Sequence, residues 1–325
     1  MKKISASLII MILVIAACQK EHAKAPLGSL PEDQTEIITQ RKCATNEVFD
    51  RQLKEDPSLQ KRMADIEQMT RNFLAEKGKL RLVNGVITIP VVVHVVYNSN
   101  AENISAAQVQ SQIDVLNEDF NKTNGDRSLV PAEFTDEQTS IGIKFVLDRV
   151  IRLKTNKKSW GTNDAVKKSQ MGGSNPVDPS TYLNMWACNL GQGLLGYAQF
   201  PGGSASTDGV VILYSAFGRT GTLIPAYDRG RTATHEVGHW MNLRHIWGDA
   251  NCGNDLVADT PPAATANYGC PAYPKRSTCS GNLNEMTMNY MDYSDDACMY
   301  MFTNGQKGRT LAIFAPGGAR YSMAQ

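Results

Sequence analysis

The chain has 325 residues, 42% of them hydrophobic, with 33 basic residues against 32 acidic ones. So even a balance argues against a nucleic-acid or polyanion partner, and the length suffices for one sizeable core plus a short accessory segment. Histidine (five) and cysteine (seven) are scarce, so the places where they cluster are informative.

Lys2 and Lys3 precede an apolar run over residues 8–17 that is too short to span a bilayer comfortably. The run ends Ile15-Ala16-Ala17-Cys18, which resembles a bacterial lipobox with Cys18 as the lipidated residue. An ordinary signal peptide with an incidental cysteine is the other reading. Both predict export, with residues 1–17 as the signal and the membrane touched through an N-terminal lipid only. Residues 18–55 are polar, without a sustained apolar period, and read as a tether and prosegment. The main domain is expected over 56–325.

Asp56-Pro57 marks a helix start, followed by Leu59, Met63, Ile66, Met69 and Phe73 at helical spacing and by Gly78 as a stop. Residues 86–97 are rich in β-branched side chains and predict a strand buried on both faces, with His94 as a core histidine. A helix capped by Ser105 is expected over 104–120, and a strand over 141–153. A short apolar run at 182–186 and strands at 195–200 and 209–214 follow, the last as the rim of a cleft. Cys188 reads as a buried apolar residue. Beyond residue 245 the chain is irregular until a final helix near 305–314. Alternating strands and helices in the first half predict a twisted sheet with two long helices.

Residues 235–245 read HEVGHWMNLRH and hold three of the five histidines. On a helix His235 and His239 share a face, about 40° apart around the axis, and Glu236 stands beside them. Such a pair suits zinc, with the glutamate moving protons. His245 can join them only if the chain turns sharply, and Asn242 tolerates the left-handed conformation that such a turn needs. Three histidines with a fourth position open describe a catalytic zinc. An accidental HExxH on an amphipathic helix is the competing reading, and the third histidine argues against it.

Cys252, Cys270, Cys279 and Cys298 cluster in a loop-rich stretch and read as two disulfides of undetermined pairing, with a second zinc site as the alternative. Asp249, Asp255, Asp259 and Thr260 crowd the loop after His245, and their oxygens suit calcium or, as the plainer alternative, Asx-capped turns.

The segments HEVGHWMNLRHIWGD, DLVADTP and NYMDYSDDACMYMFTNGQ, with the strand IPVVVHVVY, together resemble the pappalysin (cytophagalysin) family of metzincin zinc peptidases. Asn242 stands where the metzincin signature has Gly. The resemblance covers the chain from about residue 41. It implies an α+β, metzincin-like catalytic domain. An upper subdomain would hold the twisted mixed sheet and two long helices, and a loop-rich lower subdomain a methionine turn and the C-terminal helix.

The resemblance also implies roles. His235, His239 and His245 match the zinc ligands, Glu236 the general base, Met291 the methionine of the turn, and Tyr293 a tyrosine near the metal. Cys43 in Arg41-Lys42-Cys43-Ala44 resembles a cysteine switch, a thiolate on the zinc of a latent precursor, against which stand a free thiol or pairing with Cys188. Calcium near Asp255, Asp259 and Thr260 is implied too. So is a preference for Arg or Lys just after the scissile bond, with Asp295 or Asp296 as the acidic partner and self-cleavage before Arg51 or Arg62. The expected protein is an exported zinc endopeptidase acting on protein or peptide substrates, on the outer membrane or cell surface as a lipoprotein or secreted after processing. A surface-binding lipoprotein with a degenerate peptidase fold is the alternative from another class, and a zinc hydrolase acting on non-peptide bonds is a second.

Overall fold

The structure, a computed structural model, describes residues 38–76 and 86–324. The signal over 1–17, the lipobox Cys18 and the stop at Gly78 lie outside the described residues. The first described elements are helices α1 (Thr45–Glu55) and α2 (Ser58–Ala75). Helix α2 begins where Asp56 predicts it, with Asp56 Oδ1 accepting the Ser58 N–H at 3.1 Å, and it buries Leu59, Met63 and Ile66 on one stripe. Helix α1 was not expected. Its buried face is only Thr45, Val48 and Gln52, too short and too polar to give a helical period.

Five strands follow: β1 (Ile87–Tyr97), β2 (Ile143–Lys154), β3 (Leu183–Cys188), β4 (Gly196–Ala198) and β5 (Val210–Leu213). They form one sheet in the order β2-β1-β3-β5-β4, parallel throughout except for β4, which runs antiparallel to β5. The β-branched run in β1 is fully covered from Val91 to Val96, because this strand has neighbours on both sides and packed layers on both faces. His94 is a core histidine as expected, its ring nitrogens bonded to Ser174 Oγ (2.8 Å) and Asn184 Oδ1 (3.0 Å). One expectation fails. The 209–214 strand is not the rim of the cleft: β5 is hydrogen-bonded on both sides, and the short return strand β4 is the outermost strand of the sheet, with Cys43 bridged to its Gly196.

Helix α3 (Ala106–Phe120) is capped by Ser105 Oγ, which accepts the Gln108 N–H at 3.0 Å. Its buried Val109, Ile113, Leu116 and Phe120 face the sheet. Helix α4 (Arg231–Trp240) runs beside it, and every residue of α4 is buried. After α4 the chain is loop-rich until α5 (Asn304–Ala312), which Thr303 and Gln306 close with a capping box. Two disulfides, Cys252–Cys279 and Cys270–Cys298, staple this lower region. The four clustered cysteines therefore form no second zinc site. Cys188 is fully buried at the end of β3. The architecture is the expected α+β one, a mixed sheet with long helices above and a loop-rich region below.

Candidate active site

Helix α4 is held from two directions before it meets the site. Asp119 of α3 accepts hydrogen bonds from Thr234 Oγ1 (2.8 Å) and from the Tyr290 hydroxyl (2.7 Å), and Arg231 forks onto Asp126 at 2.6 and 2.7 Å. Burial pushes the Asp119 carboxyl up to about 6, against the pull of Arg231. This network fixes the height at which α4 presents His235 and His239.

The Nε2 atoms of His235, His239 and His245 lie 3.0, 3.1 and 3.2 Å apart. These contacts are not hydrogen bonds, because each Nδ1 already faces an acceptor: Tyr290 O at 2.7 Å, Leu243 O at 2.8 Å and Asp249 Oδ1 at 2.5 Å. Carbonyls and carboxylates only accept, so each Nδ1 carries the ring's hydrogen and each Nε2 offers a lone pair. Three lone pairs converge on one point and repel unless a cation sits there. A tetrahedral zinc with bonds near 2.0–2.1 Å puts its nitrogens about 3.3 Å apart, so the donor set fits zinc. Burial lowers the His235 pKa, reinforced by its neighbours His239 and His245, and favours the neutral form of that ring.

The turn that returns His245 is a Schellman motif. Asn242 N donates to His239 O at 2.9 Å and Leu243 N to Gly238 O at 2.9 Å, with Asn242 at φ 72°. The expectation for Asn242 holds. Met291 lies directly under α4. A Cβ at Gly238 would overlap its Sδ, so the glycine inside HEVGH is a packing requirement. Tyr293 places its ring 4.9 Å from that of His245 and 5.7 Å from that of His235.

Glu236 points from α4 toward β4. A Cβ at Gly196 would come within 2.9 Å of Glu236 Cγ, so the bare residue makes room for the carboxylate. Burial raises the Glu236 pKa to about 7, and a dication nearby would oppose that shift. Its Oε2 accepts Thr45 Oγ1 at 2.9 Å and lies 3.3 Å from Cys43 Sγ.

Cys43 joins the site. Its Sγ and the three imidazole nitrogens all lie within 4.8 Å of one another. The segment carrying it lies along the outer edge of β4, with Ala44 N donating to Gly196 O (3.0 Å) and Leu195 N to Lys42 O (3.0 Å). Tyr293 donates to Cys43 O at 3.2 Å. Two residues earlier, Arg41 is buried and pairs with Asp296 Oδ1 at 2.6 Å, donating also to Ser294 O and Thr232 Oγ1 and stacking 5.2 Å from the Tyr227 ring centroid. Asp296, rather than half-buried Asp295, makes this pair.

The oxygens expected to hold calcium are engaged by protein donors. Asp255 accepts from Thr260 Oγ1 (2.7 Å) and Val257 N (3.1 Å), and Asp259 from Thr303 Oγ1 (2.6 Å) and Gly305 N (2.7 Å) at the start of α5. Asp249 serves His245. Among the described residues the histidine–cysteine group is the one cluster of three or more metal-ligating side chains. Sequence reasoning missed Arg41, Thr45, Gly196 and Asp119. The Asp249 spacing, four after His245, was a visible signal that went unused.

The chain matches known proteins along most of its length. A family model described as pregnancy-associated plasma protein-A matches residues 167–315. The extracellular metalloprotease of Arthroderma otae is 33% identical over 233 residues, 69% of this chain and 76% of the relative. Extracellular metalloprotease 1 of Coccidioides posadasii is 35% identical over 255 residues, 74% of this chain and 82% of the relative. Mature mirolysin of Tannerella forsythia, solved with a cleaved peptide, is 47% identical with a TM-score of 0.71, covering 73% of this chain and 95% of its own. A mutant of T. forsythia promirolysin is 42% identical with a TM-score of 0.80, covering 87% of this chain and 97% of its own. With three converging imidazoles on an HExxH helix and these relatives, the chain belongs to the pappalysin family of zinc metalloproteases.

Proposed function

We propose that this protein is an exported endopeptidase whose described N-terminal block, residues 38–76, is an inhibitory prosegment laid through its own substrate cleft. The observation that carries the reading is the course of Arg41 to Thr45: a side chain in an acidic pocket, a thiol among the histidines and a hydroxyl on Glu236. His235, His239 and His245 hold zinc. When bound, zinc acidifies a water and polarises the scissile carbonyl. Glu236 Oε2 takes the water's proton and passes it to the leaving amine. The Tyr293 hydroxyl, which here donates to Cys43 O, donates to the oxygen on which negative charge develops. A substrate strand replaces residues 42–44 on the β4 edge, so recognition is mainly of backbone. The Asp296 pocket takes an Arg or Lys side chain, as it takes Arg41 here.

Export is supported by the extracellular metalloproteases among the relatives. The prosegment is placed through α2, beyond the boundary at residue 55, and the wider match to the precursor mirolysin, 87% against 73%, supports this. Arg51 and Arg62, the sites expected for self-cleavage, lie inside α1 and α2, and cleavage there requires the helix to open first. The alternative of a degenerate binding protein loses weight, because the base and the three lone pairs are intact and the β4 edge bonds an extended segment along its backbone. Digestion of a mixed peptide library by matured protein tests the reading: many cleavages are expected, and none after zinc chelation. An absence of cleavage with zinc bound would overturn it.

Cys43→Ala tests latency. The intact precursor is expected to gain peptidase activity by about tenfold or more, equivalent to at least 1.4 kcal/mol of lost hold on the cleft. A variant as silent as the wild-type precursor would remove Cys43 from the mechanism.

A further inference from the structure

Helix α2 is also tied to the zinc loop from behind. Arg309 of α5 is buried, and its Nε donates to Asn242 O at 2.7 Å, the carbonyl of the left-handed residue that returns His245. The two Nη groups of the same guanidinium fork onto Glu67 of α2, one of them at 2.9 Å, and Arg244 Nη2 approaches Glu67 Oε1 at 4.0 Å. Gly308, beside Arg309, lets α2 lie close, since a Cβ there would meet Leu74 Cδ2 at 2.7 Å. The guanidinium is thus aimed by one bond into the zinc loop, and its remaining fork is shaped for a carboxylate.

We infer that Arg309 and Arg244 form a carboxylate site coupled to the zinc loop, filled by Glu67 in the precursor and taken by an external carboxylate or inorganic oxyanion once α2 has left. This rests on the reading that α2 belongs to the prosegment. A protein side chain, a small organic acid and phosphate share the chemistry that the fork selects. An anion there fixes the Arg309 side chain, and through Nε it steadies the Asn242 turn that presents His245. An empty fork leaves Arg309 free to swing toward water and release the carbonyl.

The full-length precursor provides the first test. Glu67→Ala is expected to lower Tm by several degrees, with acetate or phosphate restoring much of the loss saturably at constant ionic strength, and chloride not. The wild-type precursor, its site filled, should not respond. Should Glu67→Ala not fold, Glu67→Gln keeps the volume, and its Tm should fall without anion rescue. Anions acting no better than chloride on Glu67→Ala, or a Glu67→Gln precursor as stable as wild type, would overturn the site.

Coupling is read on matured protein as the chelator concentration at which zinc is lost. Acetate or phosphate should raise it severalfold over chloride, and Arg309→Lys should abolish that response. Retention indifferent to anions would overturn the coupling. Failure of the prosegment reading has a different signature, a matured N-terminus upstream of Ser58, which leaves rescue of the Glu67→Ala precursor intact.

Discussion

Replacing Glu236 with alanine is expected to leave zinc bound and to cut peptide hydrolysis by roughly 10²–10⁴-fold or more, the range that a positioned general acid–base contributes. The separation of effects follows from geometry. The three Nε2 atoms face one another, and their Nδ1 partners are Tyr290, Leu243 and Asp249, none of which involves Glu236. Removing the carboxylate therefore leaves every metal contact in place. What it removes is a buried carboxylate packed against Gly196, where a Cβ would come within 2.9 Å of Glu236 Cγ. The variant must be matured by an added protease, since loss of activity also removes self-processing. Zinc stoichiometry and cleavage of one reporter peptide are then measured side by side. A variant with full zinc and wild-type kcat would end the role of Glu236. One that lost its zinc would show that the ligand geometry had been misjudged.

What the sequence made legible was the local part of this site. His235, Glu236 and His239 follow from helical spacing, and Asn242 from the few residues able to hold φ near 72°. Met291 was reachable only through the family resemblance, because it lies forty-six residues after His245 along irregular chain. The non-local part was illegible. Arg41 and Asp296 are 255 residues apart and meet because residues 41–45 run from Asp296 past the histidines to Glu236. The β4 edge was misassigned to the neighbouring strand, since three residues carry too little alternation to mark an edge. The acidic loop was legible only as a cluster. Asp249, Asp255 and Asp259 look alike as a cluster, yet one orients a histidine, one closes a turn with Thr260 and one caps α5. Composition shows that oxygens are near each other, and only hydrogen-bond partners show what each is used for.

The Asp296 pocket gives the second large effect. Asp296→Asn is expected to lower kcat/KM for substrates with Arg after the scissile bond by about 30-fold to 1,000-fold, the consequence of losing roughly 2–4 kcal/mol of a desolvated charge pair. Cleavage before small apolar residues should change little, so the preference collapses while the chemistry persists. Asparagine suits the test because Asp296 has two jobs. Its Oδ2 accepts the backbone N–H groups of Arg229 (2.9 Å) and Arg231 (3.1 Å) at the start of α4, and its Oδ1 faces the guanidinium. An asparagine that keeps its oxygen on the two N–H groups preserves the loop and turns its amide toward the pocket. The pocket floor then offers a donor where an arginine needs an acceptor. Competing peptides that differ only at that residue measure the effect directly. Tm close to wild type would separate lost recognition from lost structure. The same change should loosen Arg41 and make the precursor leakier, so both readouts must move together if one pocket serves both the prosegment and the substrate. An unchanged arginine preference would assign Asp296 to the fold of the lower region and leave the basic preference without a partner.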